Sequence, residues 1–412
     1  MAKLYPFKAI RPRKGIEDRI AALPYDVYSR KEAEQEVQRE PLSFLKIDRG
    51  ETQFGPEVKS DDVCAYERAR DTLWGMVKTG DFIMEDKPCF YLYELKMKDR
   101  IQTGIVACAD IDEYLNGTIK KHENTRKDKE QDRICHVDYC DAQTGPIFLT
   151  YRKTESISEL QDKIKKTPCL YDFVTADMIS HRVWCISGET EIQTIEEEFK
   201  KIQSIYIADG HHRCASAVKV GLMRRKENKK HQGNEEYNRF LSVLFPDNEL
   251  LIMDYNRVVK DLNGLTETEF LERVGESFEL ENTGNQAFVP KEKAEFGMFL
   301  GKEWYRISPK IKAETSDPVE LLDVTVLQEK LLQPILGIAD PKTDKRIDFV
   351  GGIRGIQELE RRVQNDCAVA FSLFPTSIKE LFAVADEGKL MPPKSTWFEP
   401  KLRSGIFIHS IK

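Results

Sequence analysis

The sequence predicts a mixed α/β protein, and three observations predict it. Residues 89–97 and 101–111 alternate as half-buried strands do. Residues 61–78 instead carry Val63, Tyr66, Ala69, Leu73 and Trp74 at helical spacing. Residues 204–208, Ser-Ile-Tyr-Ile-Ala, form a short apolar strand that passes straight into a helical pattern, the packing unit of α/β architecture.

Taken in order, the chain opens in an extended, proline-marked way. Leu23-Pro24-Tyr25-Asp26-Val27 leads to Ser29 and Glu32, whose spacing is that of a capping box, so a helix is expected through about Val37. The helix 61–78 and the two strands follow, and then the polar stretch 120–133 interrupts the apolar pattern. Strands resume at 147–151 and 183–186, with a helix near 194–203 and the strand 204–208. The stretch 224–236 has no apolar residue from Arg224 to Glu236 and is expected to be a solvated loop. Beyond it lie a strand at 249–253 and helices near 267–274, 318–332 and 355–365. Pro392, Pro393, Pro400 and Gly405 make 390–412 an ordered loop rather than a helix.

The chain has 412 residues, more than the roughly 250–300 at which one core stops growing, so two or three lobes are expected. The divisions drawn are 1–145, an N-terminal α/β lobe; 146–245, a middle unit; and 246–412, a C-terminal α/β lobe. With 63 Lys and Arg against 70 Asp and Glu, the formal charge of −7 excludes a generally basic nucleic-acid coat. The 40% hydrophobic and 32% charged residues suit a soluble globular chain. No apolar run approaches the roughly 20 residues that span a bilayer. Residues 1–14 mix Lys3, Lys8, Arg11, Arg13 and Lys14 with two prolines and lack an export signal's apolar region. Nine scattered cysteines, an odd number, fit buried free thiols in a reducing cytoplasm.

Three segments can carry chemistry. In Ala208-Asp209-Gly210-His211-His212-Arg213 a strand ends in polar and basic residues and a helix begins. Asp209 stands where an N-cap belongs, and Gly210 allows close approach to the first backbone N–H groups. Ala215, Val218 and Leu222 give the helix a buried face. A helix start beside Arg213 is a site for a phosphate or carboxylate; the plain alternative is a capped helix with two surface histidines. The second segment, 120–133, sets Lys121, Arg126 and Arg133 around His122 and Glu123. Phosphoryl transfer needs such cations to screen charge and such a base to take a proton, while a solvated charged helix explains the same residues. The third, 391–405, sets Lys394, Lys401 and Arg403 beside the hydroxyls of Ser395 and Thr396 on a proline-fixed loop able to close over an anion, or is a terminal strand-and-turn that packs Trp397 and Phe398 and leaves its charges in water. Neither G-x-x-x-x-G-K-[ST] nor a post-strand G-x-G-x-x-G occurs, and no Cys/His spacing suits structural zinc.

These motifs in this order resemble the family catalogued as domain of unknown function 1015. The resemblance runs from Tyr5-Pro6-Phe7 and Pro24-Tyr25-Asp26-Val27, through Ser43-Phe44-Leu45, Lys121-His122-Glu123-Asn124-Thr125, Lys129-Glu130-Gln131-Asp132-Arg133 and the Asp209–Arg213 turn, to Ile347-Asp348-Phe349-Val350-Gly351-Gly352 and Met391-Pro392-Pro393-Lys394-Ser395-Thr396. The strand–Asp-Gly-His-His-Arg–helix unit is similar to the ParB/sulfiredoxin-like fold, and archaeal free-serine kinases of that fold carry a very similar turn. Sulfiredoxins place a reactive cysteine where this chain has His211, and ParB proteins continue into a helix-turn-helix domain that is not seen here, so both of those activities are disfavoured.

The resemblance implies a ParB/sulfiredoxin-like core with added N- and C-terminal α/β lobes and a cytoplasmic kinase converting free L-serine to O-phospho-L-serine. Its donor would be pyrophosphate or an adenine nucleotide, ADP or ATP, with Mg²⁺ on the phosphates. Expected catalytic residues are Glu123 as general base, with Asp209 as alternative base or metal contact, and His122. Expected phosphate-binding residues are Gly210, His211, His212, Arg213, Lys121, Arg126, Arg133, Lys394, Ser395 and Thr396; metal-binding residues are left unassigned. The partners are small molecules, with no nucleic acid or membrane. A phosphoserine phosphatase using the same anion site and a non-catalytic sensor of a phosphorylated metabolite are the alternatives.

Overall fold

Strands buried on both faces organise the chain. In the computed structural model, which describes residues 2–311 and 314–412, the chain is mixed α/β and divides into two units. Met1, Lys312 and Ala313, which fall within the expected N- and C-terminal lobes, lie outside the described residues.

The first unit comprises Met1–Lys121, Thr125–Leu250 and Pro400–Lys412. Its nine-stranded sheet runs Ile119–Lys120, Ile205–Asp209, Ile147–Tyr151, Arg239–Pro246, Arg100–Asp110, Phe90–Met97, Ser180–Ile186, Tyr171–Val174, with Leu4–Tyr5 also paired to Arg100–Asp110. Ile205–Asp209 is parallel to Ile119–Lys120 and antiparallel to Ile147–Tyr151. Ile147, Leu149, Ile205 and Ile207 from these strands enter one core with Ile157, Leu160, Ile195, Phe199, Cys214 and Val218 from the helices Glu155–Lys165, Glu189–Lys201 and His211–Glu227. Phe199 is fully buried, its ring 5.0 Å from that of Tyr151, so cutting it to Ala should cost about 3–5 kcal/mol. A second core gathers Ile10, Phe44, Ile47, Leu73, Phe82 and Ile408, with a four-stranded sheet ordered Phe82–Met84, Ala9–Pro12, Ile408–Ser410, Ala142–Gln143.

The second unit comprises His122–Asn124 and Leu251–Glu399. Its antiparallel sheet runs Phe278–Gly284, Glu303–Pro309, Phe296–Leu300, Val369–Leu373, Tyr255–Val259, Ile347–Gly351, around a core of Val258, Phe299, Trp304, Val350, Leu359 and Ala370. A separate pair, Leu251–Met253 with Trp397–Glu399, brings the end of the unit back to its beginning. His122–Asn124 joins through the backbone, where Met391 N–H donates to His122 O at 2.8 Å.

Several expectations shift. One sheet pairs strands from both sides of residue 145, Arg239–Pro246 with Arg100–Asp110 and Ile205–Asp209 with Ile119–Lys120. The loop expected from residue 224 starts later, because the helix His211–Glu227 continues to Glu227 on its own hydrogen bonds. The helix expected at 318–332 begins at Asp323 and widens to i→i+5 bonding over Gln328–Leu332. Strand 249–253 is shortened to Leu251–Met253, after a helical turn at Asp247–Glu249. Cys64 and Cys185 are exposed, so not every thiol is in a core. Ser29 and Glu32 do form a capping box, at the start of Arg30–Arg39.

Candidate active site

The strand Ile205–Asp209 and the 17-residue helix His211–Glu227 are joined by one residue, Gly210. Its φ of +92° is a conformation that L side chains rarely adopt, and a Cβ there would stand 3.0 Å from the Arg213 guanidinium. Gly210 is itself the N-cap; the expected cap, Asp209, is the last strand residue and makes no side-chain capping bond. The reason is electrostatic. Asp209 Oδ2 accepts from Arg213 at 3.1 Å and Oδ1 from Lys401 at 3.3 Å, so its carboxylate is spent on two cations. Burial alone would raise its pKa, but Lys401 and then Arg213 outweigh that and hold it at about 2. A carboxylate so acidic is a weak base near neutrality, which leaves Asp209 to orient cations.

Arg213 is fixed on its other side by donating to Pro146 O at 2.6 Å. The first helical bond runs from Cys214 N–H to Gly210 O at 2.9 Å, so the N–H groups of Gly210, His211, His212 and Arg213 precede it, where the helix dipole favours an anion. His211 is buried, and Ser216 Oγ, which bonds His212 O at 2.7 Å and Glu130 O at 3.0 Å, locks this turn to the helix Lys127–Cys140. Ala215 and Val218 face the interior as expected, whereas Leu222 is exposed.

The other expected residues of the first unit take varied positions. Lys121 follows the strand beside Ile205–Asp209 and sets its ammonium 6.0 Å from the Tyr114 ring centroid. Arg126 caps Lys127–Cys140 and is paired with Asp128 at 2.8 Å on the surface. Arg133 is buried: it bonds Asp132 and Asp48 O and lies 4.1 Å from the Tyr25 ring centroid, which spends its guanidinium inside the unit. Arg133 and Arg213 both line a small cavity of about 30 Å³ with Tyr25, Asp48, His136 and Thr144, room for about two waters.

In the second unit, His122 is buried and tied by its carbonyl to Met391, and Glu123 follows it, partly exposed. Lys394 is exposed with φ +60°, Ser395 donates its hydroxyl to Pro392 O at 2.7 Å, and Thr396 is half-buried. Lys401, expected as a cation of the C-terminal loop, falls in the first unit beside Asp209. It lies 192 positions from Asp209, so the pairing itself has no local signal in the sequence. Among the described residues no group of three His, Cys, Asp or Glu could hold a metal, and no helix is long and apolar enough to cross a membrane.

The sequence model of the family described as "Protein of unknown function (DUF1015)" matches residues 4–325. A search of curated proteins finds no match. Among solved structures, SbnI with a C-terminal truncation from Staphylococcus aureus is similar at 12% identity and a TM-score of 0.39, over 74% of this chain and 87% of that one. A free serine kinase in complex with AMP matches at 15% identity and 0.36, over 73% and 91%. A conserved hypothetical protein from Pyrococcus furiosus matches at 15% and 0.33, over 74% and 95%.

Proposed function

The chain belongs to the DUF1015 family, whose description assigns no activity, and on that premise we propose that it is a cytoplasmic phosphotransferase that phosphorylates free L-serine. The observation that carries this reading is the Asp209–Arg213 turn: a helix N-terminus opened by a left-handed glycine, with Arg213 and Lys401 aimed by one carboxylate. That arrangement suits a phosphate group of the donor. The choice of serine as acceptor draws on the resemblance of this turn to that of free-serine kinases.

In this reading the N–H groups from Gly210 to Arg213, the side chains of His211, His212, Arg213 and Lys401, and the charge of Lys121 hold the donor's phosphate in the first unit. On the sequence reading, Glu123 is the base and Lys394 a further cation. The serine oxygen attacks the transferring phosphorus, its proton passes to Glu123, and the bond from phosphorus to the bridging oxygen breaks. Orthophosphate leaves when the donor is pyrophosphate; AMP leaves when it is ADP. Pyrophosphate is favoured because the sequence lacks the glycine-rich nucleotide loops. Both Asp209 oxygens are engaged by cations, so the described residues do not fit a protein-made Mg²⁺ site, and the ion is assigned to the donor's own phosphate oxygens.

Glu123→Gln tests the reading. The rate of serine phosphorylation should fall by about 10²–10⁴ with donor affinity retained, measured by phosphoserine formation and by donor titration. Full activity in the variant would remove Glu123 as the base.

A further inference from the structure

The second unit contains a turn whose backbone conformation is explained by its side chain. Pro393 leads and Lys394 follows at φ +60°, a pattern in which the third position ordinarily takes Gly or Asn. A glycine would sit there without strain; an ammonium is what glycine cannot supply. Four hydrogen bonds hold the loop. Arg257 donates to Lys394 O at 3.0 Å, Thr376 Oγ1 to Ser395 O at 2.9 Å, Ser395 Oγ to Pro392 O at 2.7 Å, and Met391 N–H to His122 O at 2.8 Å.

Arg257 is the unusual member. It lies on the strand Tyr255–Val259, is 3% exposed, and donates to two main-chain oxygens, those of Tyr255 and Lys394, with the Phe349 ring centroid 5.3 Å away. Among the described residues no carboxylate meets it, and burial brings its pKa down to about 10. Burying a guanidinium without an acid is costly, and a neutral amide could serve the same two carbonyls. What the charge adds is positive potential behind Lys394, whose exposed ammonium lies 5.6 Å from the Tyr255 ring centroid.

We propose that the 391–396 loop of the second unit is an oxyanion site in which Lys394 contacts a phosphate group and Arg257 is its positioning residue. Its ligand class is inorganic pyrophosphate or another small phosphorylated anion, and that identity rests on the phosphotransferase reading. The site costs backbone strain at Lys394 and a buried charge at Arg257, and both are offset when the anion binds.

The test titrates the full chain with pyrophosphate and with orthophosphate by calorimetry, for the wild type and for Lys394→Gly, Arg257→Gln and Arg257→Lys. Lys394→Gly should keep or raise the melting temperature, because it relieves the left-handed strain, and weaken pyrophosphate binding at least tenfold. Arg257→Gln should weaken binding in the same direction and raise the donor KM more than it lowers kcat, with partial rescue by Arg257→Lys. If the Arg257 variants do not fold, Lys394→Gly decides alone. A folded Lys394→Gly with unchanged pyrophosphate affinity, or a wild type that binds neither anion, overturns the proposal. Tight binding lost in Lys394→Gly without serine phosphorylation by the wild type keeps the site and removes the kinase reading; serine phosphorylation with an unchanged donor KM in Lys394→Gly does the reverse.

Discussion

The turn at Asp209–Arg213 in the first unit and the loop at 391–396 in the second both present cations, and they hold them by opposite means. In the first, Arg213 and Lys401 share one carboxylate, and the left-handed backbone position is a glycine, which takes it without strain. In the second, Arg257 donates, among the described residues, to main-chain oxygens, and the strained position is the lysine itself. Cations in one unit are therefore aimed by charge, and in the other by backbone geometry. The two should respond differently to substitution, acid and salt.

The largest expected effect falls on the charge-held site. Asp209→Ala strips Arg213 and Lys401 of their shared acceptor and should cost about 2 kcal/mol, as hydrogen bonds to charged groups do, read as a drop in melting temperature. Its pH dependence has a definite sign. Because the folded pKa of about 2 lies below the unfolded value of about 3.9, the Asp209 contribution is complete above about pH 4 and is lost as pH falls through 2.

Next is the backbone. Gly210→Ala imposes φ +92° on a residue with a Cβ and should cost about 1–2 kcal/mol, whereas Lys394→Gly at φ +60° should hold or gain stability. Thermal melts of the two variants should therefore move in opposite directions. Equal losses would break the contrast.

A smaller effect separates the units by acid. Burial, and then Arg403, lower His181 to about 3, while Tyr93 and Thr175 hydroxyls meet its two ring nitrogens at 2.8 and 3.1 Å. Burial also lowers His136. The unfolded chain takes up a proton at His181 below about pH 6.5 while the folded chain does so only near 3, so its effect is that stability rises with pH between about 3 and 6.5, and His136 acts in the same direction. Both residues lie in the first unit, and hydrogen exchange at pH 5 against pH 7.5 should show it opening first. His181→Gln should flatten that dependence. The smallest effect is a surface control: Arg361→Ala, which breaks an exposed pair with Glu358 on the helix Gln357–Asn365, should leave the melting temperature unchanged.

Local signals made much of this legible in the sequence. The capping box at Ser29 and Glu32, the helical spacing from Val63 to Trp74 and the strand–glycine–helix unit at 205–227 depend on neighbours a few residues apart, and each is present. Asp209 was misread as an N-cap because its residue type suits one, while its actual partners are four and 192 positions away. Lys401 is legible as a cation of the C-terminal loop, but its pairing with Asp209 is not, and Arg257 carries no local pattern at all: a cation acquires meaning from what the fold sets beside it. The sheet that crosses residue 145 was hidden too, since strand order is set by pairing between distant segments.

The central claim is tested most directly by phosphorus-31 NMR of the purified chain with L-serine, Mg²⁺ and, in separate samples, pyrophosphate, ADP or ATP, beside a sample holding phosphoserine alone. The account predicts a new phosphomonoester signal at the position of O-phosphoserine in a donor sample, strongest with pyrophosphate. Orthophosphate released only from phosphoserine, or no change in any sample, would contradict it.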